Sequence, residues 1–267
     1  MTASTPAPRI FGNGLELGKA LAAAIADRVS AAHAHGDSFI LGCPGGRTPT
    51  STYQSLAEEF TARGIDRRRV VIAMMDDYVE WDGTSWAHIP SDAHNSCRRF
   101  AREDIQGVLN RGVPEAEALP DANLWFPNPA EPEAYDGRLR EAGGIDFFIL
   151  ASGAGDGHVA FNPPGSPIDS RTRVVELAEQ TRRDNLATFP DYQDLDAVPG
   201  HGVTVGIATI AELSKAAAMI VIGSDKQQAY QRLTAGRAYD PGWPATVYHL
   251  VPGAEIFADV AAEGRAC

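Results

Sequence analysis

The chain has 267 residues and a formal net charge of −12 at pH 7, with 44% hydrophobic and 22% charged residues. These values are ordinary for a soluble globular protein that buries a full core. The negative charge argues against nucleic acid and against an anionic membrane surface as the main partner. A small anionic ligand stays open, because its binding depends on local hydrogen-bond donors.

The cysteines and the hydropathy pattern bear on location. The three cysteines show neither metal-ligand spacing nor a disulfide framework, which favours a reducing cytoplasm. Residues Met1–Arg9 are polar and do not resemble a secretory signal. No apolar run approaches the roughly 18 residues of a membrane span. Because we find no internal repeat or low-complexity linker, we expect a single domain over residues 1–267, with residues 1–9 flexible.

Hydrophobic periodicity predicts helices and strands that alternate along the chain. In order, we expect a helix over 15–35, a strand over 39–42, a helix over 51–63, a strand over 70–75, a loop or lid over 81–90, and a helix near 91–101. Then follow a strand over 145–150, an irregular stretch to about 173, a helix over 181–187, a strand or turn over 203–209, a strand over 217–223, a helix after Lys226 and a strand over 247–251. This alternation favours an α/β fold with a mostly parallel sheet and helices on both faces.

Four of the predicted strands end in polar or glycine-rich turns. The turns are Gly45–Thr48, Asp76-Asp77, Gly155–His158 and Ser224–Lys226. If the strands are parallel, all four turns lie along one edge of the sheet, where open α/β sheets bind their ligands. The four turns therefore predict one composite site.

Two of these turns suit an anion such as phosphate. Gly45, Gly46 and Thr48 precede a helix and offer backbone N–H groups, a hydroxyl and the positive helix end. Lys226 adds a positive charge near the start of another helix. The spacing is not that of a P-loop. An ordinary glycine-rich turn and a solvated surface lysine are the alternatives.

The other two turns carry groups that can transfer protons. Asp76 and Asp77 are adjacent carboxylates, and their repulsion can raise the pKa of one of them towards neutrality, as a general base requires. The alternative is that one of them caps the following turn. Asp156 and His158 lie two residues apart, and the alternative for them is a glycine-rich turn with an incidental acid and imidazole.

A set of short segments occurs in one fixed order along the chain. The segments are Pro44–Pro49, Met75–Val79, Gly153–Asn162, Ser170–Arg173, Thr181-Arg182, Thr204–Gly206 and Gly223–Lys226. In this order they resemble glucosamine-6-phosphate deaminases, of the glucosamine-6-phosphate isomerase/6-phosphogluconolactonase superfamily. The resemblance implies a modified Rossmann-like, doubly wound fold. It also implies a cytoplasmic enzyme that acts on an amino-sugar or hexose 6-phosphate without a metal or an organic cofactor.

Carried over position by position, the resemblance implies a role for each candidate residue. Asp76 resembles the base that moves a proton between C2 and C1 of the sugar. Asp156 and His158 resemble the pair that assists opening of the pyranose ring. The positions that resemble the phosphate site are Gly45, Gly46, Thr48, Arg182 and Lys226.

One position departs from the family motif His-x-Ala-Phe-Asn-Glu-Pro. The chain has Pro163 where the motif has the glutamate of the ring-opening group. His158 therefore lacks a carboxylate that would favour its charged form. Asp169 and Asp184 are candidates to replace it. Slower ring opening, a substrate that is already open and a substrate that is not an amino sugar are the alternatives.

A second departure concerns regulation. Ser166 and Arg173 match positions at which some family members bind an activating amino-sugar phosphate at a subunit interface. Val175 stands where the family has a lysine, which removes a charge-assisted phosphate contact. We therefore predict no activation of that type. The sequence leaves a homo-oligomer open.

Two other functions stay open at this point. Arg47 in Gly-Gly-Arg-Thr-Pro and the Asp156–His158 pair also resemble lactonases of phosphorylated sugar acids, whereas Asp76–Tyr78 does not. A sugar-phosphate-binding paralogue that has lost its chemistry through Pro163 is the third hypothesis. The presence of both Asp76 and His158 weighs against it.

Overall fold

The computed structural model describes residues 7–189 and 191–265, and within them two sheets form. The strands are β1 (Arg9–Phe11), β2 (Phe39–Cys43), β3 (Val70–Met74), β4 (Asp76–Trp81), β5 (Trp86–His88), β6 (Leu124–Trp125), β7 (Phe147–Ala151), β8 (Arg173–Glu176), β9 (His201–Thr204), β10 (Ala217–Val221) and β11 (Glu255–Asp259). Seven of them form a parallel sheet in the order β1-β11-β10-β7-β2-β3-β6. The predicted fold class is therefore confirmed.

Helices cover both faces of the parallel sheet. They are α1 (Gly14–Ala34), α2 (Thr50–Arg63), α3 (Cys97–Phe100), α4 (Gly107–Leu109), α5 (Glu133–Glu141), α6 (Glu179–Thr188), α7 (Ile207–Leu213), α8 (Gln227–Ala235) and α9 (Val260–Glu263), with a π-helical segment, Ala101–Gln106, between α3 and α4. Side chains of α1 and α2 pack in one apolar cluster, and those of α5, α7 and α8 pack in a second one.

The central strands separate these two clusters because consecutive residues of a strand point to opposite faces. In β2, Leu41 belongs to the cluster of α1 and α2, whereas Ile40 belongs to the cluster of α5 and α7. Every residue of β2, β3 and β10 is buried. Strands buried on both faces appear in the sequence as continuous apolar runs, which is why the sequence predicted them well.

The second sheet is antiparallel, with the order β5-β4-β9-β8, and the sequence did not predict it. Its strand β4 begins directly after β3, with Met75 between them. Asp76 therefore pairs with Thr204 of β9, and Thr204 pairs in turn with Arg173 of β8. Asp76 and Asp77 thus begin a strand, whereas the sequence placed them in a turn.

Four other predicted elements differ from the structure. Residues 203–209 were expected to form a strand or a turn, but only 203–204 belong to β9, and the helix α7 begins at Ile207. Residues 247–251 were expected to form a strand, but 247–250 belong to the 3₁₀ helix Pro244–Leu250, in which a proline occupies an initial position where its missing N–H costs nothing. The last strand is β11. Residues 81–90 were expected to form a loop or lid, but they contain the turn between β4 and β5 and the whole of β5. The helix expected near 91–101 starts only at Cys97, after its N-cap Ser96.

The two ends of the chain add two points. Arg9 already pairs within the parallel sheet as the first residue of β1, which differs from the expected flexibility of residues 1–9, while residues 1–6 lie outside the described part. The single-domain interpretation of residues 1–267 stays a prediction. In the described part of the chain, no helix combines the length and apolar character needed to cross a membrane.

Candidate active site

A cavity of about 820 Å³ opens at the carboxyl ends of β2, β3, β7 and β10. Residues from three polar turns line it, together with Asp76 at the start of β4 and residues of α2 and α6. The lining includes Gly45, Gly46, Arg47, Thr48, Asp76, Cys97, His158, Asp184 and Lys226. The structure therefore brings the four predicted segments together at the carboxyl ends of the parallel strands, although Asp76 begins a strand of the antiparallel sheet.

Asp76 stands in this cavity as a carboxyl that is only 6% exposed. Burial raises its pKa to about 7, against the opposing effects of the Cys97 thiol and of His158, and the charge of Asp77 acts in the same direction as burial. A base with a pKa near neutrality combines a sufficient ionised fraction with a strong affinity for the proton. Asp76 therefore has the properties of a general base.

Asp77 has a different environment, although it is adjacent to Asp76. Its carboxylate is fully buried and accepts hydrogen bonds from the backbone N–H groups of Tyr78 (3.0 Å) and Cys97 (2.9 Å) and from Arg98 Nε (3.1 Å). His88 Nδ1 lies 2.8 Å from Asp77 Oδ2, the oxygen that accepts from Arg98 Nε. Asp77 therefore joins β4 to α3 and β5, and it is not part of the cavity lining.

His158 and Asp156 form a second proton-carrying unit. Asp156 Oδ1 lies 2.7 Å from His158 Nδ1 and also accepts the backbone N–H of His158 at 3.1 Å. Burial alone would raise the pKa of Asp156, but the hydrogen bonds and the charge of His158 hold that pKa below its usual value. Because Asp156 occupies Nδ1, Nε2 is the nitrogen that can serve a ligand.

The turn that carries this pair depends on two glycines. A Cβ on Gly153 would lie 2.3 Å from His158 Nδ1, so a larger residue there would displace the imidazole. Gly157 has a φ of 67°, in the left-handed region, and a Cβ there would lie 2.2 Å from the Trp243 ring. The glycines therefore let the turn fold tightly enough to place His158 beside Asp156.

The other end of the cavity is suited to an anion. Gly46 adopts a φ of 83° in the turn before α2, and no side chain among residues 7–189 and 191–265 caps the first N–H groups of that helix. Lys226 Nζ donates to the carbonyl of Ser152 at 2.8 Å at the cavity wall. Burial lowers the pKa of Lys226, while nearby carboxylates, Asp225 first among them, oppose this shift. The predicted residues Gly45, Gly46, Thr48 and Lys226 therefore come together.

Arg182 is the predicted site residue that the structure does not bring there. Its Nη2 donates to the carbonyls of Leu195 and Val198, and it does not belong to the cavity lining. Arg47 lines the cavity instead. The signal for Arg47 was its place inside the glycine-rich turn before α2, which the sequence analysis used only as a likeness to lactonases.

The two candidates to replace the missing glutamate lie in different places. Asp184 lines the cavity and accepts a hydrogen bond from Gln180 Nε2 at 2.9 Å, whereas Asp169 is exposed and lies outside the lining. Pro163 itself accepts hydrogen bonds from Ser166 through its carbonyl. Among residues 7–189 and 191–265, no three His, Cys, Asp or Glu side chains converge as metal ligands do.

The positions compared with a regulatory site lie next to each other. Arg173 Nη2 donates to Ser166 Oγ at 3.3 Å, and Arg173 Nη1 donates to Asn162 Oδ1 at 2.9 Å. Val175, in the same strand, is half-buried. The expected lack of activation by an amino-sugar phosphate stays a prediction.

The fold and the cavity define an α/β protein with a ligand site at the carboxyl edge of its parallel sheet. Residues 13–254 match the family described as glucosamine-6-phosphate isomerases/6-phosphogluconolactonase, and the chain belongs to this family. The glucosamine-6-phosphate deaminase of Mycolicibacterium smegmatis is 35% identical over 240 residues, which are 90% of this chain and 86% of the relative. That of Beutenbergia cavernae is 34% identical over 244 residues, which are 91% and 88% of the two chains.

Two solved structures superpose on nearly the whole chain. A monomeric glucosamine-6-phosphate deaminase superposes with a TM-score of 0.79 and 26% identity, over 96% of this chain and 98% of that one. The 6-phosphogluconolactonase of Trypanosoma brucei superposes with a TM-score of 0.69 and 20% identity, over 99% and 100% of the two chains. The second likeness shows the shared fold alone.

Proposed function

We propose that the protein converts glucosamine 6-phosphate and water into fructose 6-phosphate and ammonia. The observation that carries this proposal is the buried Asp76 carboxyl, with its pKa raised to about 7 by burial, in one cavity with His158. Curated relatives that are 34% and 35% identical, both named glucosamine-6-phosphate deaminase, support the same reaction.

The phosphate of the substrate binds at the anion-suited end of the cavity. Gly45, Gly46 and Thr48 offer donors at the start of α2, and Lys226 adds a positive charge. Arg47 takes the part that the sequence analysis gave to Arg182, because its side chain borders the same space. A guanidinium and an ammonium together offset the cost of removing a phosphate from water.

Ring opening comes next and needs a proton carrier at the ring oxygen and the anomeric hydroxyl. His158 Nε2 is suited to this step, since Asp156 contacts the other ring nitrogen and fixes the orientation of the imidazole. Of the two candidates to replace the glutamate that is absent at Pro163, Asp184 is the one that lines the same cavity as His158. Asp169 has no part in this step, because it is exposed outside the lining.

Asp76 then transfers a proton between two carbons. Its carboxylate removes the proton from C2 of the open aldehyde, the C1 oxygen takes up a proton, and an enolamine forms between C1 and C2. The carboxyl of Asp76 returns its proton to C1, which leaves an iminium at C2 and a hydroxyl on C1. Water adds to C2 and ammonia leaves, so that the ketose is formed without any change in total oxidation state.

The first test is a coupled assay that follows ammonia and fructose 6-phosphate in parallel. We expect both products, in equal amounts, from glucosamine 6-phosphate, and we include galactosamine 6-phosphate to examine the configuration at C4. No ammonia from either sugar would contradict the proposal.

The role of Asp76 is tested by Asp76→Asn. We expect kcat to fall by about 10²- to 10⁴-fold, because the amide cannot accept the C2 proton. Binding of fructose 6-phosphate, measured by calorimetry, should remain, because the phosphate contacts are at the other end of the cavity. Turnover that survives this substitution would show that Asp76 is not the base.

The lactonase hypothesis has one observation in its favour. Arg47, which the Gly-Gly-Arg-Thr-Pro turn shares with lactonases, lines the cavity. Hydrolysis of a lactone needs no base at a carbon atom, so Asp76→Asn should leave it largely intact. If 6-phosphogluconolactone is hydrolysed and no ammonia is released, the lactonase function replaces the deaminase.

We further infer that the protein acts in the cytoplasm. Its proposed substrate is a phosphorylated metabolite, and Cys43 and Cys97 are buried free thiols, which are typical of a reducing compartment. Fractionation of cells that express the untagged protein tests this inference, and recovery outside the cytoplasm would contradict it.

A further inference from the structure

We propose that Cys97 is a positioning residue for the reaction, with its thiol donating a hydrogen bond to Asp76 Oδ1 and leaving Oδ2 to carry the substrate proton. The inference rests on the proposed role of Asp76 as the base. Cys97 Sγ lies 3.5 Å from Asp76 Oδ1, within the distance of a sulfur hydrogen bond, and Cys97 lines the cavity.

The thiol is the one side-chain or backbone donor to the Asp76 carboxylate within residues 7–189 and 191–265. The neighbouring Asp77 carboxylate has three donors. Each donor to a carboxylate stabilises its ionised form and so lowers its affinity for a proton. A single donor fixes the orientation of the Asp76 carboxylate without removing its affinity for a proton, and a thiol is a weak donor.

The position of the thiol is itself fixed by the neighbouring carboxylate. Cys97 is the first residue of α3, and its backbone N–H donates to Asp77 Oδ1 at 2.9 Å. Arg98 Nε holds the other oxygen of Asp77 at 3.1 Å. Asp77 therefore anchors α3 against β4, and this anchor places the Cys97 side chain over Asp76.

The surroundings of Cys97 favour a donor over a nucleophile. Burial raises the pKa of the Cys97 thiol well above its usual value, and the charges of Asp76 and Asp77 raise it further. The thiol therefore keeps its proton in the pH range in which Asp76 ionises. A thiol that stays protonated donates to the carboxylate and does not attack a substrate.

The main test is the pH dependence of kcat/KM in Cys97→Ala. The groups that face Asp76 are Asp77 on its own strand, His158 after β7, Tyr53 of α2, Tyr78 and Cys97. Loss of the donor destabilises only the ionised carboxylate, so the acidic limb should move to higher pH by about half a unit to one unit. At pH values below this limb, kcat/KM of Cys97→Ala should therefore be about 3- to 10-fold lower than that of the unmodified protein. KM should change little.

Two further variants separate this role from a structural one. Cys97→Ser keeps a donor, so its acidic limb should return towards that of the unmodified protein. Cys43→Ala is the matched control, because Cys43 is also a buried free thiol, donates to the Leu41 carbonyl and lies outside the cavity lining. An unchanged limb in Cys97→Ala, or equal shifts in Cys97→Ala and Cys97→Ser, would overturn the proposal.

An infrared titration tests the hydrogen bond without any substrate. The S–H stretching band of Cys97, assigned by its loss in Cys97→Ala, should move to lower frequency as Asp76 ionises near pH 7, and it should not move in Asp76→Asn. A band whose frequency does not change with pH in the unmodified protein would contradict the inference. Because no turnover is measured, a failed deaminase assay and a missing thiol contact remain distinguishable.

Discussion

At the scale of single residues, the environments of Asp76 and Asp77 differ more than their adjacency suggests. The sequence analysis attributed a raised pKa to repulsion between the two carboxylates. The direction is right, but burial of Asp76 is the larger cause of its pKa of about 7, and the charge of Asp77 adds to it. The three hydrogen-bond donors to the Asp77 carboxylate come from α3 and from its own strand, and no sequence pattern predicts them.

The first residue-scale prediction concerns the carboxylate that orients the imidazole. In Asp156→Asn the amide cannot act as a charged acceptor for His158 Nδ1, so the ring loses the partner that fixes its tautomer and its orientation. We expect kcat/KM with glucosamine 6-phosphate to fall about 100-fold or more, mainly through kcat. Steady-state kinetics at neutral pH measures this loss.

Asp169→Asn is the control for this prediction, because Asp169 is exposed and lies outside the cavity. It removes the same negative charge from the molecule, and its kcat/KM should stay within about twofold, as for most surface substitutions. If Asp156→Asn kept as much activity as Asp169→Asn, the His158–Asp156 pair would have no part in catalysis.

Arg47 and Arg182 show which site residues a sequence motif can place in the structure and which it cannot. Turns that follow buried strands are placed by the backbone, so Gly45, Gly46 and Thr48 come to the cavity as expected. A long side chain on a helix is placed by whatever packs beside it. For Arg182 this is the carbonyl groups of Leu195 and Val198, in a stretch without apolar periodicity.

At the scale of elements, the parallel sheet was predictable and the antiparallel sheet was not. β3 is a run of five buried apolar residues, whereas β8 is Arg-Val-Val-Glu and β9 is His-Gly-Val-Thr. Such short, mixed strands do not differ from loop sequence in their periodicity. Their pairing with β4 depends on contacts between distant parts of the chain, which a local pattern does not contain.

The element-scale prediction uses the glycine at the centre of β9. A Cβ on Gly202 would lie 2.4 Å from the Phe161 ring, and Phe161 lines the cavity. Gly202 also pairs with Tyr78 of β4, two residues after Asp76. Gly202→Ala should therefore lower the free energy of unfolding by about 1–3 kcal/mol, the usual cost of overpacking, and should reduce activity. Urea unfolding and the ammonia assay measure the two effects.

Gly200→Ala is the matched control in the same segment. A Cβ there meets nothing within 4 Å, so the change in unfolding free energy should stay within about 0.5 kcal/mol. Equal effects of Gly200→Ala and Gly202→Ala would mean that the close approach of Phe161 to β9 does not constrain the sheet.

At the scale of the whole molecule, the site lies where the two sheets meet. The parallel sheet contributes the anion-suited turn and His158, and the antiparallel sheet contributes Asp76. A carboxyl at this junction is shielded from water by both sheets, and this shielding raises the pKa of Asp76. The same shielding makes the ionised carboxylate a source of instability.

The pH dependence of stability follows from the raised pKa of Asp76. Its folded-state pKa of about 7 is above the usual 3.8, so the folded protein holds this proton more tightly than the unfolded chain. The resulting stability is fully present below about pH 4 and is lost as the pH rises to about 7, by up to about 4 kcal/mol. Asp76→Asn removes this titration, so the variant should gain stability over the unmodified protein as the pH rises from about 4 to 8.

Urea unfolding of both proteins across this range measures the difference. A difference that is independent of pH would mean that Asp76 ionises in the folded protein as an ordinary exposed carboxyl does, and its role as a base tuned by burial would then be wrong.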